Sequence, residues 1–320
     1  MPHGSPSNGE RMPDASRDAL LIFNPTAGRA RGLHRGALER ARKVLARRGI
    51  ESELAPTDGP GSAPELARRA VHERRGMVIV CGGDGTLNEV VNGLAGSAIP
   101  LALLPGGNAN VFSKEVGLPW NIERAAELIA DSERRRIALG HVTAAGLADG
   151  GRYFLSLAGA GPDGAIVRAV SQNLKDRMGI IAFWVEGFRQ LASYGFPRFR
   201  IMLPNESFEA TLIIAGRTKH YGGPFQITTR ADLYGNDFEL MLCGTNSRWK
   251  YLSYLPLLLA GRLRRARDIR YLRAAEVRCD PMDSEPVWVQ VDGEPAGRLP
   301  AEFRIVSDAL TLAVPGKERT

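Results

Sequence analysis

Apolar residues follow two different rhythms along this chain. Up to about residue 138, short continuous apolar runs alternate with stretches where apolar positions recur every three or four residues. The segments 19–23, 51–55, 77–80 and 100–104 read as strands of a parallel sheet, whose two covered faces need no polar alternation. Between them, 33–48 places Leu38, Ala41, Val44 and Leu45 on one helical face, and 65–74 reads as a second helix. Leu87, Val90, Val91 and Leu94 fall at i, i+3, i+4 and i+7, a third helix. A short helix is expected at 122–130 and a basic connector at 132–136. From about Gly140 the rhythm changes. Short strands are expected at 153–157, 199–203, 208–214, 225–229, 238–242, 287–291, 303–306 and 310–314, with Gly/Pro or polar turns between them. That is the pattern of a β-sandwich or barrel. Two helical stretches, 178–191 and 248–263, interrupt it.

The fold class expected is therefore α/β plus all-β: an N-terminal doubly wound domain and a C-terminal β-sandwich domain. The divisions expected are a polar, disordered leader at 1–16, the α/β domain at 17–138, the β domain at 139–296 and a C-terminal segment at 297–320.

Three polar loops follow strand ends: Asn24-Pro25-Thr26-Ala27-Gly28-Arg29, Cys81-Gly82-Gly83-Asp84-Gly85-Thr86-Leu87-Asn88-Glu89 and Pro105-Gly106-Gly107-Asn108-Ala109-Asn110. Such loops gather along the carboxyl edge of a parallel sheet, where α/β folds bind ligands. In the central one, glycine permits positive φ and leaves no side chain between the amides and a ligand. Amides at the positive end of a helix form an anion cradle suited to phosphate. A tight turn that binds nothing is the plain alternative, but it leaves Asp84 without a purpose.

Composition changes this picture little. The chain has 320 residues, 44% hydrophobic and 24% charged, an ordinary globular balance with room for two cores. A net charge of +7 favours anionic partners. No nucleic-acid motif accompanies it. Cys81, Cys243 and Cys279 lie far apart without metal-ligand spacing, and their odd number argues against a disulfide framework. A reducing cytoplasm is the expected home. The longest apolar run, 251–260, contains Pro256 and is too short to cross a bilayer.

The central turn is neither a P-loop nor a dinucleotide fingerprint. Four motifs carry a resemblance: Asn24-Pro25-x-x-Gly28, Gly82 to Glu89 (Gly-Gly-Asp-Gly-Thr-Leu-Asn-Glu), Leu104 to Phe112 (Leu-Pro-Gly-Gly-Asn-Ala-Asn-Val-Phe) and Val291-Asp292-Gly293-Glu294-Pro295. Together and in this order they resemble the diacylglycerol kinase catalytic-domain family, which includes bacterial lipid kinases and sphingosine kinases. The resemblance implies a nucleotide domain like that of phosphofructokinase and NAD kinase, a β-sandwich substrate domain and an active site in the cleft between them. It also implies that the segment 297–320 returns to the first domain. Carried over residue by residue, it places Asn24, Thr57, Gly82, Gly83, Asp84, Gly85, Thr86, Leu87, Asn88 and Asn108 at ATP, and Asp84 at the transferred phosphoryl and its Mg²⁺. Glu294 becomes the general base that deprotonates the substrate hydroxyl. Read by itself, Asp292-Gly293-Glu294-Pro295 is a hairpin turn with two solvated acids.

Two positions depart from the family pattern. Asn108 stands where relatives carry Thr or Ser, and still offers a donor. Gly235-Asn236 stands where bacterial relatives carry the Asp-Gly of a structural Mg²⁺ site. Either Asp232 or Asp237 substitutes, or that metal is absent. Asp163 is placed at the substrate headgroup by the resemblance, while a turn-capping role is an equal alternative. The segment 249–259, rich in Trp, Tyr and Leu, precedes Arg262, Arg264, Arg265, Arg267, Arg270 and Arg273. That order suits either peripheral contact with an anionic membrane or a core-packing helix with a basic exit. The function expected is ATP-dependent phosphorylation of a hydroxyl on a membrane lipid. The rivals are a soluble small-molecule kinase of the NAD kinase type and a non-catalytic nucleotide- or membrane-binding protein. A homodimer is left open.

Overall fold

The computed structural model describes residues 18–26, 33–148, 150–170, 187, 189, 193–221 and 225–316. The leader at 1–16, Gly28 and nearly all of the helix expected at 178–191 lie outside the described residues.

The first region runs β1 (Asp18–Phe23), α1 (Leu33–Arg47), β2 (Glu51–Pro56), α2 (Ala63–His72), β3 (Met77–Gly82), α3 (Asp84–Leu94) and β4 (Pro100–Pro105), then short α4 (Val111–Glu115) and α5 (Ile122–Ala130). Its strands lie in the order β4-β3-β1-β2, parallel throughout. Consecutive residues such as Leu20, Leu21 and Ile22, or Val78 and Ile79, are fully buried. A strand can bury neighbours in sequence only if both of its faces are covered. Leu38, Ala41 and Leu45 of α1, Ala67 and Ala70 of α2, and Val90, Val91 and Leu94 of α3 supply that cover. Each fully buried large aliphatic side chain contributes roughly 1.5–3 kcal/mol before entropy is counted.

The second region contains β5 (Glu133–Ala145), β6 (Arg152–Phe154), β7 (Leu157–Ala160), α6 (Pro162–Ala169), β8 (Phe199–Met202), β9 (Ser207–Ala210), β10 (Leu212–Gly216), β11 (His220–Tyr221), β12 (Phe225–Gln226), β13 (Phe238–Cys243), α7 (Arg248–Leu259), β14 (Ile269–Ala274), β15 (Glu276–Pro281), β16 (Trp288–Val291) and β17 (Glu294–Val314). One layer is β14-β13-β10-β7-β16. The other gathers β5, β15 and β8 around β17. Phe154, Ile213, Phe238 and Leu240 share one core with Phe199, Val277 and Phe303. The 21-residue β17 belongs to both regions. It begins in the hairpin with β16, and its Thr311 and Leu312 pair in parallel with Pro100 and Leu101 of β4.

Several expected elements change. The basic connector at 132–136 is instead the exposed start of β5, where Glu133, Arg134, Arg135 and Arg136 pair with Val314, Ala313, Leu312 and Thr311. Solvent-facing charges do not prevent a backbone ladder when the partner strand is apolar. The two strands expected at 303–306 and 310–314 are one, with a register shift between Val306 and Leu310 around Asp308 at φ 50°. The strand expected at 153–157 is two, β6 and β7. The helix expected to reach 263 stops at Leu259, and a 3-10 turn follows at Leu263–Arg265. Strands β14 and β15 and helices α4 and α6 lie where no element was expected.

Candidate active site

The loops after β2, β1, β3 and β4 stand side by side. Thr57 donates its backbone N–H to Phe23 O at 2.9 Å, and Asn24 donates its own to Cys81 O at 3.2 Å. The Asn24 side-chain oxygen accepts from Thr26 N at 2.9 Å, an Asx turn that holds the first loop. Gly106 N donates to Gly82 O at 3.1 Å, and a Cβ on Gly107 would collide with Gly83 Cα. None of Gly82, Gly83 and Gly85 has positive φ. The glycines thus serve close approach of one loop to another rather than an unusual dihedral. Asn110 does adopt the left-handed conformation, and its amide closes the loop by bonding both Gly107 N and Gly107 O at 2.9 Å.

Helix α3 begins at Asp84, capped by Gly83 with no side-chain cap. Its positive end is therefore open for an anion. The Asp84 carboxylate points across to the next loop, accepting from Val111 N and Phe112 N at 3.1 Å each. Burial pushes its carboxyl above the usual range, with the two N–H donors pulling the other way and nearby Asp292 adding to the rise.

Glu294 reaches this turn from the second region. Asp292 (φ 47°) and Gly293 (φ 80°) form a two-residue hairpin between the paired Val291 and Glu294, as positive φ at both central positions of a type I′ turn requires. A Cβ placed on Gly85 would lie 3.6 Å from Glu294 Oε1, in ordinary contact. The carboxylate therefore stands over the first turn of α3. Behind it, Asp292 accepts from Asn88 Nδ2 at 2.9 Å, Leu155 N and Ser156 N at 2.9 Å, and Leu157 N at 3.0 Å. Far from solvated, this acid fastens the hairpin to α3 and to the break between β6 and β7.

The chain is similar to known proteins along most of its length. A profile for the diacylglycerol kinase catalytic domain matches residues 18–142, and one for the YegS C-terminal NAD kinase beta sandwich-like domain matches 156–314. The chain belongs to the diacylglycerol kinase catalytic-domain family. It is 29% identical over 290 residues to a diacylglycerol kinase of Bacillus subtilis (strain 168), covering 89% of this chain and 92% of that one. A diacylglycerol kinase of Staphylococcus haemolyticus is 28% identical over 301 residues, covering 93% and 88%. A crystal structure of a diacylglycerol kinase from Bacillus anthracis str. Sterne superposes with a TM-score of 0.74 at 22% identity, covering 93% of this chain and 97% of that one, which speaks for the fold alone. Membership makes this protein an enzyme of the lipid kinase class.

Within this lipid kinase fold, the expected site residues divide. Gly82, Gly83, Asp84, Gly85 and Thr86 form the turn at the start of α3, where Gly85 faces Glu294, and Asn24, Thr57 and the exposed Asn108 lie on neighbouring strand ends. Leu87 is buried in the core of the first region. Asn88 is fully buried and its amide is consumed by Asp292, Tyr153 O and Arg152, so its side chain is part of the seam and not open to a nucleotide. Asp163 is also drawn away from a headgroup. It is 5% exposed, accepts from Tyr221 OH and from Gln290 Nε2, and Gln290 Oε1 in turn accepts from Gly293 N at 2.9 Å. Asp237 is bound by Arg273, and Asp232 accepts from Tyr234 N at 3.0 Å. Among the described residues, no group of three or more His, Cys, Asp or Glu is arranged to hold a metal.

Helix α7 combines the two readings of its segment. Tyr251, Tyr254, Leu257 and Leu258 pack against the core under β10, β13 and β14, while Trp249 is 75% and Leu259 66% exposed. Of the arginines that follow, Arg264 is tied to Thr229 and Glu239 and Arg273 to Asp237, leaving Arg262, Arg265, Arg267 and Arg270 exposed. Among the described residues, no helix is long and apolar enough to cross a membrane. Sequence reasoning missed Arg152, Arg217, Tyr221 and Gln290, because each acts through a partner distant in the chain, and Asn110, whose left-handed backbone no local pattern announces.

Proposed function

We propose that this chain transfers the γ-phosphoryl group of ATP to a hydroxyl of a membrane lipid, with Glu294 as the general base. The observation that carries this reading is the seating of Glu294 Oε1 over Gly85 at the open end of α3. Phosphates bind the amides at that end, and the loops after β1, β2 and β4 border the nucleotide. The lipid hydroxyl gives its proton to the Glu294 carboxylate as its oxygen attacks the γ-phosphorus and the bond to ADP breaks. Mg²⁺ carried by the nucleotide would offset the charge on the phosphates. Each Asp84 oxygen accepts one N–H and keeps a second lone pair, so Asp84 is the residue fitted to face that ion.

Exposed Trp249 and Leu259, with arginines around them, suit the edge of an anionic bilayer, where apolar side chains enter and arginines meet headgroups. The purified protein with Mg·ATP should label a hydroxylated lipid from a total membrane extract in mixed micelles. Glu294→Gln should lower the rate by about 10²–10⁴-fold and leave ATP binding intact. An active Gln variant sinks the base assignment, and label appearing on NAD in place of lipid sinks the substrate class. Trp249→Ala should weaken sedimentation with phosphatidylglycerol vesicles while micellar activity stays. Equal sedimentation removes the membrane contact.

A further inference from the structure

Arg217 follows directly after β10 and is fully buried, the largest such side chain among the described residues. Among the described residues its guanidinium makes no hydrogen bond to a carboxylate. One terminal nitrogen donates to Gly235 O at 2.7 Å and Asp237 O at 3.4 Å, and the other to Leu233 O at 2.5 Å and Ala138 O at 3.0 Å. Four main-chain carbonyls thus converge on one positive charge, as oxygen ligands converge on a hard metal ion. Asp232 and Asp237 supply counter-charge nearby without touching it. Burial brings the guanidinium down to about 10, which leaves it charged at neutral pH.

The location gives this charge a task. Ala138 lies on β5, within the part matched by the kinase catalytic-domain profile, and residues 231–237 lie within the part matched by the sandwich profile. Leu233 is 4% exposed and joins the core of the first region, and Arg135 of β5 stacks on the Tyr234 ring at 4.4 Å. The loop is therefore a clasp between the two regions, with Arg217 at its centre.

A structural divalent ion does not fit here. The converging carbonyls are taken by the guanidinium, both Asp237 carboxylate oxygens are bound by Arg273, and Asp232 alone does not make a cage for an ion. The geometry points to Arg217 as a tethered structural cation that holds the 231–237 loop on β5 in place of the structural metal that the family resemblance implied there.

The inference goes beyond the proposed reaction and holds whichever lipid the site takes. It is tested on the full chain without nucleotide. The dialysed wild-type protein should carry sub-stoichiometric divalent metal by plasma mass spectrometry. Its melting temperature should move by less than about 1 °C with EDTA or with millimolar MgCl₂, since an ion that does not bind the folded state cannot stabilise it. Stoichiometric metal, or a chelator-induced drop of several degrees, overturns the proposal. Arg217→Lys and Arg217→Met then separate charge from bulk. The Lys variant keeps a cation with three donors and should melt above the Met variant, which should fall roughly 5 °C or more below wild type. A Met variant that melts at or above the Lys variant shows that charge is not what holds the loop, and overturns the proposal equally.

Discussion

Two charged side chains are enclosed where the regions of this protein meet, and the backbone solvates them in opposite ways. Beside the candidate active site, the Asp292 carboxylate is surrounded by N–H groups from Asn88, Leu155, Ser156 and Leu157. At the other junction, the Arg217 guanidinium is surrounded by carbonyls of Ala138, Leu233, Gly235 and Asp237. Both arrangements let a buried charge find partners without a counter-ion in direct contact, which a buried group requires if burial is not to unfold the protein. They differ in what they hold. Asp292 is two residues from Glu294 and fixes the hairpin that presents it. Arg217 holds the 231–237 loop against β5. The first junction therefore couples structure to chemistry, and the second couples structure to stability.

The largest effect should come from Asp292→Asn. The amide that replaces one oxygen cannot accept, so buried N–H donors lose their partner at ~1–3 kcal/mol each. The hairpin then shifts, and a misplacement of about 1 Å at a reacting group costs on the order of 10²-fold in rate. Unfolding in urea and kcat for lipid phosphorylation should fall together. If the variant loses stability but keeps its rate, the coupling assigned to this junction is wrong. At the cation junction the outcome should split the other way. Arg217→Met should lose melting temperature as above while kcat/KM at a permissive temperature stays within about tenfold, because well-separated sites act nearly independently. A catalytic loss equal to that of Asp292→Asn would erase the distinction.

What the sequence disclosed follows the same division between local and distant. Met77 to Val80 could be read as a strand and Leu87 to Leu94 as a helix because each pattern is complete within a few residues, and the turn between them inherits its place. The approach of Gly107 to Gly83 was not legible, since nothing local says that two glycine loops pack backbone to backbone. The start of β5 was hidden for a related reason. Its Glu-Arg-Arg-Arg looks like a linker until β17 is laid beside it. Asp292 and Glu294 sit in one short motif, yet only the structure distinguishes the acid that is enclosed by donors from the one that faces Gly85. Arg217 gave no signal, because a charge after a buried strand reads as a surface residue until four carbonyls from elsewhere enclose it.

The smallest effect concerns the second layer behind the anionic junction. Asp163 is linked through Gln290 to Gly293 N, and burial pushes its carboxyl upward against the pull of Tyr221 and Gln290. For an acid with a raised folded value, the sign is fixed. Between its ordinary value near about 4 and the raised one, the folded state keeps a proton that the unfolded chain has released, so stability falls as pH rises through that window. Asp163→Asn removes the titration. The wild type should therefore gain stability relative to the variant as pH is lowered from 7, by at most about 1.4 kcal/mol per pH unit, and level off below about 4. Exposed pairs such as Glu53 with Arg69 bias both proteins alike and cancel in the difference. Urea unfolding of both proteins across this range measures it. A pH-independent difference would mean that Asp163 stays ionised, held by its donors in the way Asp292 is surrounded by its own.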